Sequence, residues 1–291
     1  MCGGAHPPLC FGVAMDSYLN LIEKILKSGK TRPDRTDVGS SDTVWGETLR
    51  FNLNDGFPIL TTRKVSLRIA FEETMFFLRG ETDTKKLEEK NIFIWADNTS
   101  REFLDSVGLS HLPEGDMGKG YGYQWRNFNG VDQLTELVKT LKNNPNSRRH
   151  IISGWNPADL NQMALPPCHL YQQYQVVNGV LNSLFFMRSV DVPYGLPYNI
   201  MSYSLINVML SKLLGYQPGE LVFMGGDCHI YANQIPMCNE IIDRFPSKLP
   251  TLNISKYYDT LDEMLELEFS DLELVGYDPQ PDIIGKPPMA K

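Results

Sequence analysis

Cys168 follows two prolines and precedes a histidine in the run Ala-Leu-Pro-Pro-Cys-His, residues 164–169. Pro166 and Pro167 restrict the backbone just ahead of the thiol. A cysteine nucleophile works as a thiolate, from a rigid, partly exposed position with positive charge nearby. The same run also reads as a buried structural cysteine beside a core histidine, and by itself does not decide. Sources of positive charge stand elsewhere in the chain. Arg148 and Arg149 follow Asn146-Ser147, Arg188 precedes Ser189, and Arg35 sits in Asp-Arg-Thr. Guanidinium forks grip phosphate oxygens in pairs, and a serine hydroxyl adds a donor. Taken singly, each arginine also reads as a solvated surface residue.

Glu73 lies among Ile69, Met75, Phe76, Phe77 and Leu78. A carboxyl group held among apolar side chains has a raised pKa and suits proton transfer. Its neighbour Glu72 is expected on the exposed, polar face. Asp191 and Asn199 bracket Val-Pro-Tyr-Gly-Leu-Pro-Tyr. An asparagine offers one acceptor and two donors, enough to read the O4 and N3–H edge of a uracil, or it caps the helix that follows. In Gly226-Asp227-Cys228-His229-Ile230-Tyr231, His229 and Tyr231 share a face if the segment is extended. They could hold a ribose hydroxyl.

The elements that must position these groups are partly visible. The spacing of Tyr18, Leu21, Ile22, Ile25 and Leu26 predicts a helix over Asp16–Ser28, ended by Gly29. Further helices are expected at 69–78, closed by Gly80, and at 131–143, stopped before Pro145. A buried central helix is expected at 199–214, ending at Gly215. Asn178-Gly179 between Val176-Val177 and Val180-Leu181 marks a hairpin inside a strand region at 173–189. Segments 149–155 and 221–224 read as further strands. Interspersed helices and strands give an α/β (α+β) class, and no internal repeat or linker appears. The expected organisation is a loose tail at 1–15 and one domain at 16–291.

The chain has 291 residues, enough to bury a large core. Its formal net charge is −8, from 27 basic and 35 acidic side chains. No global basic field draws it to nucleic acid or membrane, so an anionic substrate needs a local arginine cluster. The five cysteines, Cys2, Cys10, Cys168, Cys228 and Cys238, are odd in number and irregular in spacing. That argues against a disulfide framework, and without a CxxC pair a zinc site is not expected. The longest apolar stretch is interrupted by Ser, Asn and Lys and is too short for a bilayer. A cytoplasmic setting is the expectation.

Several motifs, in order, resemble the thymidylate synthase family. They are DRT, FNLNDGFPILTTRK, the Glu73 helix, IW at 94–95, SREFLDS, YGYQWR, NPNSRRHIISGWNP, MALPPCH, RSVDV, GLPYN, GDCHIYAN and GYDPQP. They run from about residue 16 to the C-terminus. The resemblance implies a large mixed sheet flanked by helices, and a homodimer packed back to back through that sheet. It implies that Cys168 adds to C6 of dUMP and activates C5. Arg35, Arg188 and Ser189 resemble the phosphate ligands, with Arg148 and Arg149 donated across the dimer. Asn199 resembles the uracil reader, and His229 and Tyr231 the ribose ligands. Glu73, Tyr121 and His169 resemble the proton-transfer network. Asp191 resembles the partner of the folate pterin, and Ile94, Trp95, Leu165, Tyr194, Gly195 and Tyr198 correspond to its pocket. The implied co-substrate is 5,10-methylenetetrahydrofolate.

Departures from the family cluster near that pocket. Phe-Leu-Gly-x-Pro-Phe-Asn becomes Pro193-Tyr194-Gly195-Leu196-Pro197-Tyr198-Asn199, and Gly-Pro-Val-Tyr-Gly becomes Gly118-Lys119-Gly120-Tyr121-Gly122. Gln becomes Met187, Trp-Asp becomes Trp95-Ala96, and Lys291 stands at the end where Val or Ile is usual. Two new hydroxyls and an unburied ammonium would wet the pocket. The expectation drawn from them is that water attacks the C5 methylene intermediate, giving 5-hydroxymethyl-dUMP. The alternative is reductive methylation to dTMP, as in thymidylate synthase. A third reading is a catalytically dead nucleotide-binding relative.

Overall fold

A computed structural model describes residues 13–34, 36, 38–285 and 287. The helices are α1 (Val13–Ser28), α2 (Leu67–Leu78), α3 (Lys85–Glu88), α4 (Arg101–Ser106), α5 (Tyr121–Arg126), α6 (Gln133–Asn143), α7 (Gly195–Leu214), α8 (Ile235–Asp243) and α9 (Leu261–Leu265). The strands are β1 (Lys30–Pro33), β2 (Ser40–Asn52), β3 (Ile151–Ser153), β4 (His169–Val177), β5 (Val180–Asp191), β6 (Gln217–Tyr231), β7 (Thr251–Ile254) and β8 (Leu272–Val275).

The main sheet has six strands in the order β1-β2-β6-β5-β4-β3, and β7 and β8 form a separate pair. Only β5 and β6 run parallel, joined through α7; their neighbours are antiparallel, so the sheet is mixed. Alternation along β5 and β6 sends Phe185 and Phe223 to the α7 side, where both are buried. The opposite face carries Leu184, Phe186, Val222 and Met224, the last of these exposed. The mixed sheet flanked by helices agrees with the expected architecture.

Most predicted elements are present with shifted ends. Helix α1 begins at Val13, ahead of Asp16, and buries Met15 together with Tyr18, Leu21, Ile22 and Ile25. Residues 1–12 of the expected tail lie outside the described residues. Helix α2 begins at Leu67 because Ser66 caps it, accepting from the Ile69 N–H. It buries nearly every face, which corrects the reading of Glu72: that side chain is 7% exposed and paired with Lys90 at 2.7 Å. Helix α7 starts at Gly195, so Asn199 lies inside its first turns and is not its cap. Pro197 is tolerated there because a first-turn N–H has no helical partner. Gly215 ends the helix with φ 73. Asn178 and Gly179 turn the β4–β5 hairpin with φ of 51 and 76, the left-handed pair that a two-residue loop requires. Strand β3 is only Ile151–Ser153, shorter than expected, whereas β6 is far longer and takes in His229 and Tyr231. Strands β1 and β2 were not read from the sequence.

Candidate active site

Cys168 is the residue just before β4, and three contacts fix it. Its carbonyl accepts from the Arg188 N–H at 2.9 Å, and its own N–H donates to Tyr121 Oη at 2.9 Å. The guanidinium of Arg188 donates to the carbonyls of Pro167 and Pro166 at 2.8 and 2.9 Å, and its Nη2 comes within 3.8 Å of Cys168 Sγ. Pro166 and Pro167 precede β4, so their carbonyls lie outside its ladder, and one arginine both ties down the loop and brings positive charge to the sulfur. Trp155 supports the guanidinium, with 5.8 Å between Arg188 Cζ and the ring centroid.

Tyr121 opens α5 with φ 24, an unusual value for a residue with a side chain. Its ring is held between Phe77 and His169, at centroid distances of 4.8 and 4.3 Å. Phe77 comes from α2, which also carries Glu73. Trp95 Nε1 donates to Glu73 Oε1 at 2.8 Å. Burial pushes the Glu73 carboxyl up to about 7, against the opposing pull of the Trp95 hydrogen bond. His169 is driven the other way, to about 3, because burial disfavours the imidazolium. At neutral pH His169 is therefore an uncharged donor and acceptor, and Glu73 exchanges a proton readily.

The parallel pairing of β5 and β6 sets Ser189 opposite Asp227 and Asp191 opposite His229. Groups from both strands thus meet at one sheet end, beside Arg188. His229 Nδ1 lies 3.0 Å from Asp227 Oδ1, and the His229 and Tyr231 rings are 5.0 Å apart. The carboxylate of Asp191 accepts from Gln234 Nε2 at 2.8 Å and from the Tyr194 N–H at 3.1 Å, and burial raises its pKa. The buried Arg63 donates to the Pro193 carbonyl at 2.6 Å and lies 5.6 Å from the Tyr194 ring centroid. The Tyr194 hydroxyl donates to the Pro287 carbonyl. Asn199 is half-buried, and its Oδ1 sits 3.7 Å from where a side chain on Gly195 would begin, an ordinary contact distance. Ile94, Trp95, Leu165, Tyr194 and Tyr198 are all half-buried.

Arg148 and Arg149 are not brought to Cys168 within the chain. Both are exposed, and Arg149 extends the antiparallel register of Ile151 with Gln173 toward Gln175. That is seven residues from Cys168, roughly 20 Å along the strand. Arg148 instead lines a depression of about 540 Å³ with Arg50, Gln173, Tyr174, Asn182 and Val222. Arg35 and Lys291 lie outside the described residues.

Comparison with known proteins fits this geometry. The thymidylate synthase family model matches residues 16–289. The chain belongs to the thymidylate synthase family. It is 44% identical over 280 residues to thymidylate synthase 1/2 of Encephalitozoon cuniculi, covering 91% of this chain and 94% of that one. It is 45% identical over 275 residues to the bifunctional dihydrofolate reductase-thymidylate synthase of Paramecium tetraurelia, and 43% identical to that of Zea mays. It spans 58% and 52% of those two longer proteins. Within this family framework, four contributors escaped the sequence reading: Trp155, Tyr203, Gln234 and Arg63. Tyr203 carried a usable signal, since it lies four residues after Asn199 on the same face of α7. Among the described residues no helix is long and apolar enough to cross a membrane.

Proposed function

We propose that this chain transfers a one-carbon unit to C5 of dUMP and completes the reaction as a thymidylate synthase does, releasing dTMP and dihydrofolate. The observation that carries the reading is the joint seat of Cys168: Arg188 at its sulfur, Tyr121 at its N–H, and Glu73 and His169 packed against Tyr121. Cys168 adds as thiolate to C6, and C5 becomes the nucleophilic carbon. Arg188 and Ser189 bind the phosphate, joined by Arg35 and by Arg148 and Arg149 of a second subunit. Two features support that homodimer: the isolation of Arg148 and Arg149 from Cys168, and the partly open apolar face of the sheet. Asn199 pairs with the uracil edge, and His229 and Tyr231 hold the ribose. Glu73, near its midpoint at neutral pH, takes up and returns protons through the ordered groups around it.

Bound methylenetetrahydrofolate supplies the carbon and then a hydride. The residues fit such a molecule: Trp95, Tyr194 and Tyr198 are each only half-buried, so their rings are available to a flat ligand. Asp191, steadied by Gln234, offers an acceptor to pterin N–H groups. This reading replaces the hydroxymethylase expectation. The family model and the relatives it resembles are named thymidylate synthase. A spectrophotometric assay with dUMP and methylenetetrahydrofolate tests it. Formation of dihydrofolate in step with dUMP loss is expected; turnover without dihydrofolate would return the hydroxymethylase.

A further inference from the structure

Among the described residues, the one group with a role above that Tyr203 hydrogen-bonds to is His169. The Tyr203 hydroxyl lies 2.9 Å from His169 Nδ1, and the two rings meet edge to face at 84°. The contact is sealed: Tyr203 is 2% exposed and stacks on Phe185 with centroids 4.2 Å apart. Among the described residues the Tyr203 hydroxyl has no other partner.

A histidine ring carries one proton on two nitrogens when neutral, and the partner of one nitrogen decides the state of the other. Two arrangements satisfy a single contact at Nδ1. Either Nδ1–H donates to the hydroxyl oxygen, or the hydroxyl donates to a bare Nδ1. The first leaves the Tyr203 O–H proton without an acceptor in a sealed site. The second leaves only unused lone pairs on that oxygen, which costs far less. Burial keeps the Tyr203 hydroxyl protonated and His169 uncharged, so neither alternative is rescued by ionisation.

The other nitrogen is placed differently. His169 Nε2 makes no hydrogen bond among the described residues. It is also not sealed, in contrast to both ring nitrogens of the wholly buried His150. Tyr121, whose hydroxyl accepts from the Cys168 N–H, covers one face of the His169 ring at 4.3 Å, which sets the imidazole beside the Cys168 site.

We propose that the Tyr203 hydroxyl donates to His169 Nδ1 and thereby fixes the imidazole as the tautomer that presents Nε2–H to the site. Tyr203 is then a positioning residue. It converts His169 into a one-way donor, aimed at an oxygen of the pyrimidine or at a water bound to it. The catalytic consequence rests on the function proposed above; the tautomer does not.

The full chain, produced with nitrogen-labelled histidine, tests this by long-range proton–nitrogen NMR, with His169 assigned from the signal missing in the His169→Gln variant. The expected spectrum shows a protonated Nε2 and a bare Nδ1. A protonated Nδ1 overturns the proposal. Tyr203→Phe preserves the stack on Phe185 and removes only the donor. It is expected to turn the single tautomer into a mixture and to lower kcat about tenfold with the KM for dUMP unchanged. Adding Tyr203→Phe to His169→Gln, whose amide supplies its own fixed donor, is expected to cost nothing more. A Tyr203→Phe spectrum identical to the parent overturns the proposal, as does an equal loss in both backgrounds.

Discussion

The guanidinium of Arg188 sits with Nη2 3.8 Å from Cys168 Sγ while the same side chain holds the carbonyls of Pro166 and Pro167. One residue therefore sets the position of the Cys168 thiol and the charge beside it. Arg188→Ala is expected to lower kcat/KM about 10²- to 10³-fold, since two charge-assisted hydrogen bonds and the proposed phosphate ligand go together. Arg188→Lys is expected to recover little, because a compact ammonium lacks the planar fork that spans both carbonyls and the sulfur. Steady-state kinetics checks both, and an Arg188→Lys enzyme equal to the parent would contradict this account.

Glu73 gives a pH signature with a definite sign. Its carboxyl titrates at about 7 in the fold, against an ordinary value of 4.5 in water. The folded state thus binds more protons between those values, and stability falls as pH rises from about 4.5 through 7. Glu73→Gln is expected to remove that slope and to be more stable above pH 7, by on the order of 3 kcal/mol. It is also expected to lose the inflection near 7 in the pH profile of kcat. Urea unfolding at acidic and alkaline pH, with rate profiles, checks the pair. An unchanged inflection would remove Glu73 from the proton path.

The proposed role of Asn199, half-buried in the first turns of α7, is to read the base through its amide. Asn199→Asp presents acceptors where the uracil N3–H and O4 need one of each. It is expected to move selectivity from dUMP toward dCMP by about a hundredfold or more. Competition between the two nucleotides measures this directly, and unchanged selectivity would refute the assignment.

Arg148 and Arg149 lie far from the Cys168 of their own chain. If they serve a second subunit, Cys168→Ala and Arg149→Ala are each inactive alone but complement when mixed. Random exchange puts both defects in one site of each mixed dimer and leaves the other intact, so recovery reaches about a quarter of parental activity. No recovery after verified subunit exchange would return these arginines to a solvent face.

The legible parts of the fold were those written in local chemistry. Asn178-Gly179 marked its hairpin because few residues accept left-handed backbone at both turn positions. Helices α1, α2, α6 and α7 announced themselves by apolar spacing, but their ends slipped because caps such as Ser66 lie outside the periodic run. Strand β2 was missed: its exposed Trp45 and its polar residues break the alternation that marks a half-buried strand. Glu72 was misplaced because a helix buried on nearly every face gives no direction to its charged positions. In the site, the residue types around Cys168 were readable, but their partners were not. Trp155, Tyr203, Gln234 and Arg63 act through contacts made by tertiary packing, and no spacing along the chain encodes those.

The central claim is that the methylene intermediate on C5 is reduced rather than hydrated. Mass spectrometry of the product formed from dUMP and methylenetetrahydrofolate in isotopically labelled water tests it most directly. A methyl product without labelled oxygen, formed together with dihydrofolate, is the expected result. A hydroxymethyl product carrying the label, with tetrahydrofolate released, would contradict it.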